Sequence, residues 1–439
     1  MTLRKLRDNM FLNYDQYTNK LYESAAYEFL FEGGSFGHMA HPYDDINLTF
    51  SEVKDLVSGA LQGGINSEVV PTEKLDGQAI AVSWRNGELV ASRNKGDRAN
   101  SGERSMTVDQ VIDKFKGRGE LSNAFSFAMK DLSTAISKID PKQRESIFKN
   151  GKSFMHLELV YPPSTNVINY GAFKLIFHNA TEYDEAGDPV GEDKAAAKLL
   201  SKLIKDVDAH IQKTYEIEPP KEISFTKNKN FEADRKEFFN EIAKIQKESG
   251  LSDNDSIRTY IRNEYEKLIT SKAKEYGYVL APNILEGLIN RFAFQDKTMN
   301  AREIKTQIKN RDFVKWLLQF DKKEAALTYK SIIGPFEKLF LRLGVKVIRL
   351  ATGILALNPD KVVQDIKDEL EKAVVSVRQG GTDAQKEKLE RELEKLNAIG
   401  GFDAALPSEG VVIQHKGKTY KLTGSFAPIN QILGIFRYG

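Results

Sequence analysis

The chain has 439 residues, enough for two or three domains of ordinary size. It contains no cysteine, which excludes disulfides, thiolate catalysis and cysteine-ligated zinc. Its formal net charge is only +2, so any affinity for nucleic acid must come from local patches.

Hydrophobic residues make up 41% and charged residues 29%, a composition that suits a globular core with a well-solvated surface. No apolar run approaches the roughly 20 residues that cross a bilayer. Met1-Thr2-Leu3-Arg4-Lys5 leads directly into charged and polar residues, unlike the apolar stretch of a signal peptide. The expectation is a cytoplasmic protein with no membrane partner, its oligomeric state open.

Residues 1–70 mix aromatic and charged residues and reach a small-residue stretch, Gly33 to Pro42, that includes His38 and His41. Two histidines without clustered carboxylates mark a loop more often than a metal site, and a substrate-contacting role is the better functional alternative. Residues 71–190 read as strand-like with glycine turns. From 191 to 400 apolar residues recur at three- and four-residue steps, as in Leu199, Leu200, Leu203, Ile204 and Val207, which predicts helices. Strand character returns at 409–422.

Two hairpins frame the chemistry. Gln78 to Arg85 and Glu88 to Ser92 alternate apolar residues on either side of Asn86-Gly87, a pair that accepts the positive φ angles of a type I′ turn. Gly410 to His415 and Lys418 to Leu422 flank a second turn near Lys416-Gly417.

Glu73-Lys74-Leu75-Asp76-Gly77 stands at the mouth of the first hairpin. Lys-x-Asp-Gly followed by a hairpin resembles the nucleophile motif of the covalent nucleotidyltransferases, the DNA and RNA ligases and mRNA capping enzymes. Companion segments follow in that superfamily's order. Ser92-Arg93-Asn94-Lys95-Gly96 resembles its phosphate-contacting arginine, and Phe154 to Val160 the strand with its ribose-binding glutamate, here Glu158. Phe173 to His178 resembles the aromatic strand flanking the base, with Phe177 as the ring. Glu409 to Ile413 and Tyr420-Lys421-Leu422 resemble its fourth and fifth motifs.

The resemblance implies a lysyl-adenylate on Lys74, with Asp76 and Lys421 as further catalytic residues. Glu73, Lys74, Gly77, Arg93, Glu158, Phe177, Glu409 and Lys421 would bind nucleotide. A lysine amine attacks phosphorus only when unprotonated, and its ordinary value near 10.4 leaves little free amine at neutral pH. Positive charge from Lys421, Arg93 and a bound metal would favour the neutral amine and stabilise the developing phosphate charge. Glu409 is the candidate metal ligand, since magnesium prefers carboxylate oxygen and keeps much of its water. ATP and Mg2+ are expected, with Mn2+ an alternative ion and NAD a lesser alternative. Each residue also has a plain structural reading. Glu158 could face solvent on its strand, Glu409 could lead into a hairpin, Lys421 could be an exposed strand lysine, and Phe177 could be core packing.

Two departures bear on the type of enzyme. Thr423 stands where many ligases have a second lysine after the fifth motif, and Lys418 is a possible substitute. About 17 residues follow Leu422, too few for an OB barrel, so no C-terminal OB domain is expected. The first bears on the phosphate site; the second leans toward an RNA-ligase-like enzyme acting on RNA or DNA ends with 5′-phosphate and 3′-hydroxyl groups.

The expected fold is α+β: a ligase-type domain of antiparallel sheets with helices over 71–190 and 401–439, residues 1–70 as its N-terminal part or extension, and an all-helical insertion over 191–400. Residues 291–350 hold 14 Lys or Arg and 6 Asp or Glu, a local net of +8, interspersed with Phe292, Phe294, Phe313, Trp316 and Phe320. That pattern reads either as a nucleic-acid clamp or as a solvated helical face. The competing functional classes are a nucleotidyltransferase for a protein or small molecule, and an inactive ligase-like binding protein.

Overall fold

The structure, a computed structural model, describes residues 39–63, 71–164, 167–207, 214–218, 221–296, 298–416 and 418–438. Its α-helices begin in chain order with α1 (Phe50–Leu61), α2 (Lys95–Gly102), α3 (Val108–Phe115), α4 (Glu120–Ser137) and α5 (Pro141–Phe148). They continue with α6 (Lys194–Val207), α7 (Phe231–Ser249), α8 (Ile257–Glu275), α9 (Pro282–Phe294) and α10 (Ala301–Gln307). The last five are α11 (Arg311–Lys323), α12 (Ala325–Leu350), α13 (Pro359–Gly380), α14 (Asp383–Asn397) and α15 (Phe426–Tyr438). The first six strands are β1 (Thr72–Lys74), β2 (Gln78–Arg85), β3 (Glu88–Ser92), β4 (Met106–Thr107), β5 (Ser153–Val160) and β6 (Lys174–Tyr183). The others are β7 (Pro189–Asp193), β8 (Glu216–Glu218), β9 (Ser224–Phe225), β10 (Ala351–Thr352), β11 (Gly410–His415) and β12 (Lys418–Leu422).

One compact unit comprises the described residues of Gly77–Asn166 and Ala172–Pro220. Its seven-stranded sheet runs β4-β3-β2-β5-β6-β7, with β8 also paired to β6. Every pairing is antiparallel except that of β6 with β8. The β2–β3 turn takes the form its sequence predicts: Asn86 and Gly87 have φ of 52° and 89°.

The region 71–190 is less strand-like than its sequence reading, because α2 to α5 interrupt it. Start signals for two of these helices are present in the chain. Thr107 and Gln110 form a capping box before α3, and Asp140 caps α5 with Pro141 in its first turn. In α4, Phe125, Ala128, Met129, Leu132, Ala135 and Ile136 repeat at helical spacing and are buried. They form one core with Ile80, Val82, Leu157 and Leu159 of the sheet.

The second compact unit comprises the described residues of Ala40–Asp76, Val167–Gly171 and Lys221–Gly439. Here β1, β11 and β12 form a three-stranded antiparallel sheet, and β9 pairs with β10. Helices dominate the rest, as the periodicity predicts. Their core joins Phe50 of α1, Phe238 of α7, Tyr265 of α8 and Phe336 of α12 to Val411 and Leu422 of the small sheet.

The compact units therefore run differently from the segments read off the sequence. Buried residues of α7 to α12 share one core with α1, β11 and β12 instead of forming a helical body of their own. Residues 191–218 belong with the large sheet, because β8 extends it and the apolar side of α6 shares its core. The chain is thus mixed α and β with mainly antiparallel sheets. Among the described residues no helix is long and apolar enough to cross a membrane.

Phe125 is fully buried and stacks on Phe115 with ring centroids 3.9 Å apart. Phe125→Ala is expected to lower the unfolding free energy by about 3–5 kcal/mol. Denaturant unfolding followed by Trp84 fluorescence in a Trp316→Phe background measures this in the sheet unit.

Candidate functional site

Lys74 is the last residue of β1 and pairs with Gly410 of β11. Strand alternation puts Thr72, Lys74, Gly410, Val412 and Lys421 on one face of the three-stranded sheet, and Glu73, Val411 and Leu422 on the other. The second face is core, with Val411, Tyr420 and Leu422 each 1% exposed. On the first face, Nζ of Lys74 donates to Oε2 of Glu409 at 3.0 Å and to the Leu75 carbonyl at 2.7 Å. The two side chains are 23% and 11% exposed, so solvent screens their attraction less than that of a surface pair.

Gly410 permits this close arrangement. A Cβ there would stand 2.4 Å from the Leu422 carbonyl oxygen and 3.0 Å from Cα of Thr423. Thr423 itself is buried, and its hydroxyl has no hydrogen-bond partner among the described residues. Lys418 does not take the place of a second lysine beside Lys421. It alternates with Tyr420 and Leu422 and pairs with Asp45 at 2.6 Å.

Backbone amides hold the segment around Lys74 by its acidic side chains. The buried carboxylate of Glu73 accepts from the Leu355 amide at 2.6 Å, so this residue, expected among the nucleotide contacts, has its side chain on the core face. Oδ2 of Asp76 accepts from the amides of Val167 and Ile168 at 2.6 and 2.9 Å. The Asp76 amide donates to the hydroxyl of Tyr170 at 2.8 Å. Tyr170 is 1% exposed, and burial together with the charges of Glu73, Asp76 and Glu409 raises its hydroxyl well above the ordinary tyrosine value. Sequence reasoning missed Tyr170, since an aromatic residue in Asn169-Tyr170-Gly171 gives no sign of its distant partner.

The large sheet carries a polar group of its own. In β5, Leu157 and Leu159 point into the core, so His156 and Glu158 share the other face. Oε1 of Glu158 accepts from the Gly77 amide at 2.9 Å, and Oε2 lies 3.3 Å from Nε2 of His178. A Cβ on Gly77 would come within 2.5 Å of Cγ of Glu158, so the glycine of the motif makes room for the glutamate.

Phe177 takes the core-packing place that the sequence reading left open beside base contact. It pairs with Leu157, is fully buried and packs in the core, as the alternation from Leu175 requires. The ring near Glu158 is that of His178. The register shifts at His156/Leu157, where Asn179 pairs with His156 and Phe177 with Leu157, leaving His178 as the extra residue of a bulge. Alternation alone could not reveal that insertion.

Arg93 continues the parity of Leu89 and Ala91, and its half-buried guanidinium lies over Phe115 and Phe125 at 5.4 and 5.8 Å, on the face opposite Glu158. Burial, then the charge of Arg118, lowers its value from the ordinary arginine range. Arg98 instead approaches the polar face. It donates to the Tyr183 hydroxyl at 2.9 Å, and that hydroxyl lies 2.7 Å from Nε2 of His156. A tyrosine hydroxyl that accepts from arginine still has its proton to donate to a neutral imidazole.

The remaining candidates fall outside these groups. His38 lies outside the described residues, and His41 stacks on Tyr43 with centroids 4.8 Å apart. Phe292, Phe313 and Phe320 are buried in the helical core, Trp316 stacks between Phe313 and Phe320, and Phe294 lies beneath Arg258. The stacking role considered for these aromatics does not fit the burial of Phe292, Phe313 and Phe320, while Phe294 and Trp316 are half-buried against the same core.

Burial, then the charges of Arg98 and His178, push the His156 ring well below its ordinary 6.5. An unfolded chain then binds more protons below about pH 6.5. The stability from this neutral ring is complete above that pH and is lost as pH falls toward the folded-state value, by up to about 1.36 kcal/mol per unit. His156→Gln should flatten that decline in urea midpoints taken between about pH 5 and 8. Tyr170→Phe, which deprives the Asp76 amide of its acceptor, is expected to cost about 1–3 kcal/mol in the same measurement.

No protein-family model matches the chain, and no curated protein or solved structure compared with it does.

Proposed function

We propose that the chain is an ATP-dependent polynucleotide ligase that carries AMP on Lys74. One observation supports this above the rest. Lys74 and Glu409, the nucleophile and fourth-motif glutamate of the resemblance, stand 335 positions apart in sequence and form a hydrogen-bonded ion pair. A chance Lys-x-Asp-Gly would have no reason to meet that particular glutamate.

In this reading the Lys74 amine attacks the α-phosphorus of ATP, a P–N bond forms and pyrophosphate leaves. An oxygen of a 5′-phosphate then attacks the same phosphorus, freeing the lysine and leaving AMP joined to the strand. A 3′-hydroxyl displaces AMP and completes the phosphodiester. Glu409 beside Lys74 favours the ammonium at rest, whereas Lys421 on the same sheet face opposes it. The buried hydroxyl of Thr423, without a partner among the described residues, is a donor suited to a phosphate oxygen. On the resemblance alone Glu158 is the ribose-binding glutamate, and within its own sheet His178 lies beside its second oxygen.

Glu409 fits magnesium only as part of a mixed set of ligands. Among the described residues there is no group of three or more metal-ligating side chains, so phosphate and water oxygens would supply the rest. When bound, the ion neutralises carboxylate and phosphate charge. RNA ends are favoured over DNA ends on the resemblance alone.

ATP labelled at the α-phosphate, incubated with protein and magnesium and then denatured, tests the proposal. Wild type should retain label and Lys74→Ala none. Glu409→Gln should lower the rate by on the order of 10²-fold. Addition of 5′-phosphorylated strands should then discharge AMP. Label that such strands leave in place points to a different acceptor, and no label with ATP, GTP or NAD removes the enzymatic reading.

A further inference from the structure

Between residues 301 and 323 the sequence has seven Lys or Arg and three Asp or Glu. All seven cations, Arg302, Lys305, Lys309, Arg311, Lys315, Lys322 and Lys323, are exposed, and none is engaged in an ion pair. Three other cations of the cation-rich stretch are neutralised by ion pairs. Arg291 pairs with Asp321, Arg342 with Glu237 and Glu241, and Lys346 with Asp234. Of the three acids, Asp321 is thus taken by Arg291, and Glu303 accepts from the Asn300 amide in a capping box. Asp312 is left as the exposed acid.

The geometry of α11 sorts these charges. Phe313, Leu317 and Phe320 form its buried stripe. At about 100° per residue, Arg311, Lys315 and Lys322 fall within about 30° of the direction opposite that stripe. Asp312 projects to one side. The three cations span 11 positions, about 16 Å of helix at about 1.5 Å each. That length matches about five phosphates of one strand at about 3.4 Å each. Solubility would be served equally well by mixed charges, as on α14, where Arg391 pairs with Glu387.

We propose that the outward face of α10–α11, centred on Arg311, Lys315 and Lys322, docks the phosphodiester backbone of a polynucleotide. The inference rests on the end-joining reading for the identity of its partner and narrows the contact to one helix face. Because the core takes up Phe313 and Phe320, the face holds the strand by charge without reading its bases.

The test is fluorescence anisotropy with labelled single-stranded and nicked double-stranded oligonucleotides, using the full chain over a range of salt. The variant is Arg311→Gln/Lys315→Gln/Lys322→Gln. Its control is Lys361→Gln/Lys372→Gln/Lys388→Gln, an equal charge change at exposed positions of α13 and α14. Wild type and control should bind with a steep salt dependence. The α11 variant should bind at least about tenfold more weakly whatever the sequence, with its log–log salt slope reduced by about three. Equal binding by variant and wild type, or no binding by wild type, overturns the proposal. An acidic protein or another polyanion as the true partner would appear as that second outcome. Nucleotide labelling of Lys74 separates the two readings. Binding lost in the α11 variant, with no label on any form, upholds the surface and removes the ligase reading. Label on Lys74 with binding unchanged in the variant overturns the surface alone.

Discussion

The pairing of β1 with β11 is the constraint on which the candidate chemistry depends. Three residues, Thr72 to Lys74, align with Val412 to Gly410, and that short ladder holds together positions more than 330 residues apart. Closing so long a loop costs only modestly more entropy than closing a short one, because the cost grows with the logarithm of length. The intervening chain must still fold. It does so partly into the large sheet and partly into the helices that bury the back of the small sheet. Strand parity then sets the rest: Lys74 and Lys421 fall on one face, Glu73 on the other.

A nucleophilic amine gains from precise placement and loses from a neighbouring carboxylate that favours its protonated form. The Lys74 segment contains both effects. Asp76 and Tyr170 anchor the backbone just after the lysine, and Glu73 anchors it just before, all through amide hydrogen bonds that need no ligand. Glu409 meets the amine directly. A segment fixed at both ends keeps its amine in one place, which suits the role proposed for Lys74.

The polar face of the large sheet follows a similar economy of position. A single extra residue in β6 turns His178 toward Glu158 and lets Asn179 pair with His156. Arg98 and Tyr183 complete a hydrogen-bonded chain to His156 where a bare imidazolium would be costly. The Tyr183 hydroxyl, held between Arg98 and His156, is fixed by both neighbours.

Features governed by neighbouring residues were legible without coordinates. Asn86-Gly87 determined a hairpin because few other pairs tolerate two consecutive positive φ angles. The three- and four-residue repeat from Leu199 onward determined helices, and Lys74-Leu75-Asp76-Gly77 with Glu409 marked the residues now found in contact. What sequence could not decide was which side of an element each group would occupy or what distant segment would meet it. Arg93 and Phe177 sat in suggestive motifs, yet parity sent one over the core aromatics and the other into the core. Tyr170 and His178 acquired their partners only through contacts made across long stretches of chain. Local backbone preference acts over a few residues, whereas burial and hydrogen bonding act between whatever the fold brings together; only the tertiary structure could make those assignments.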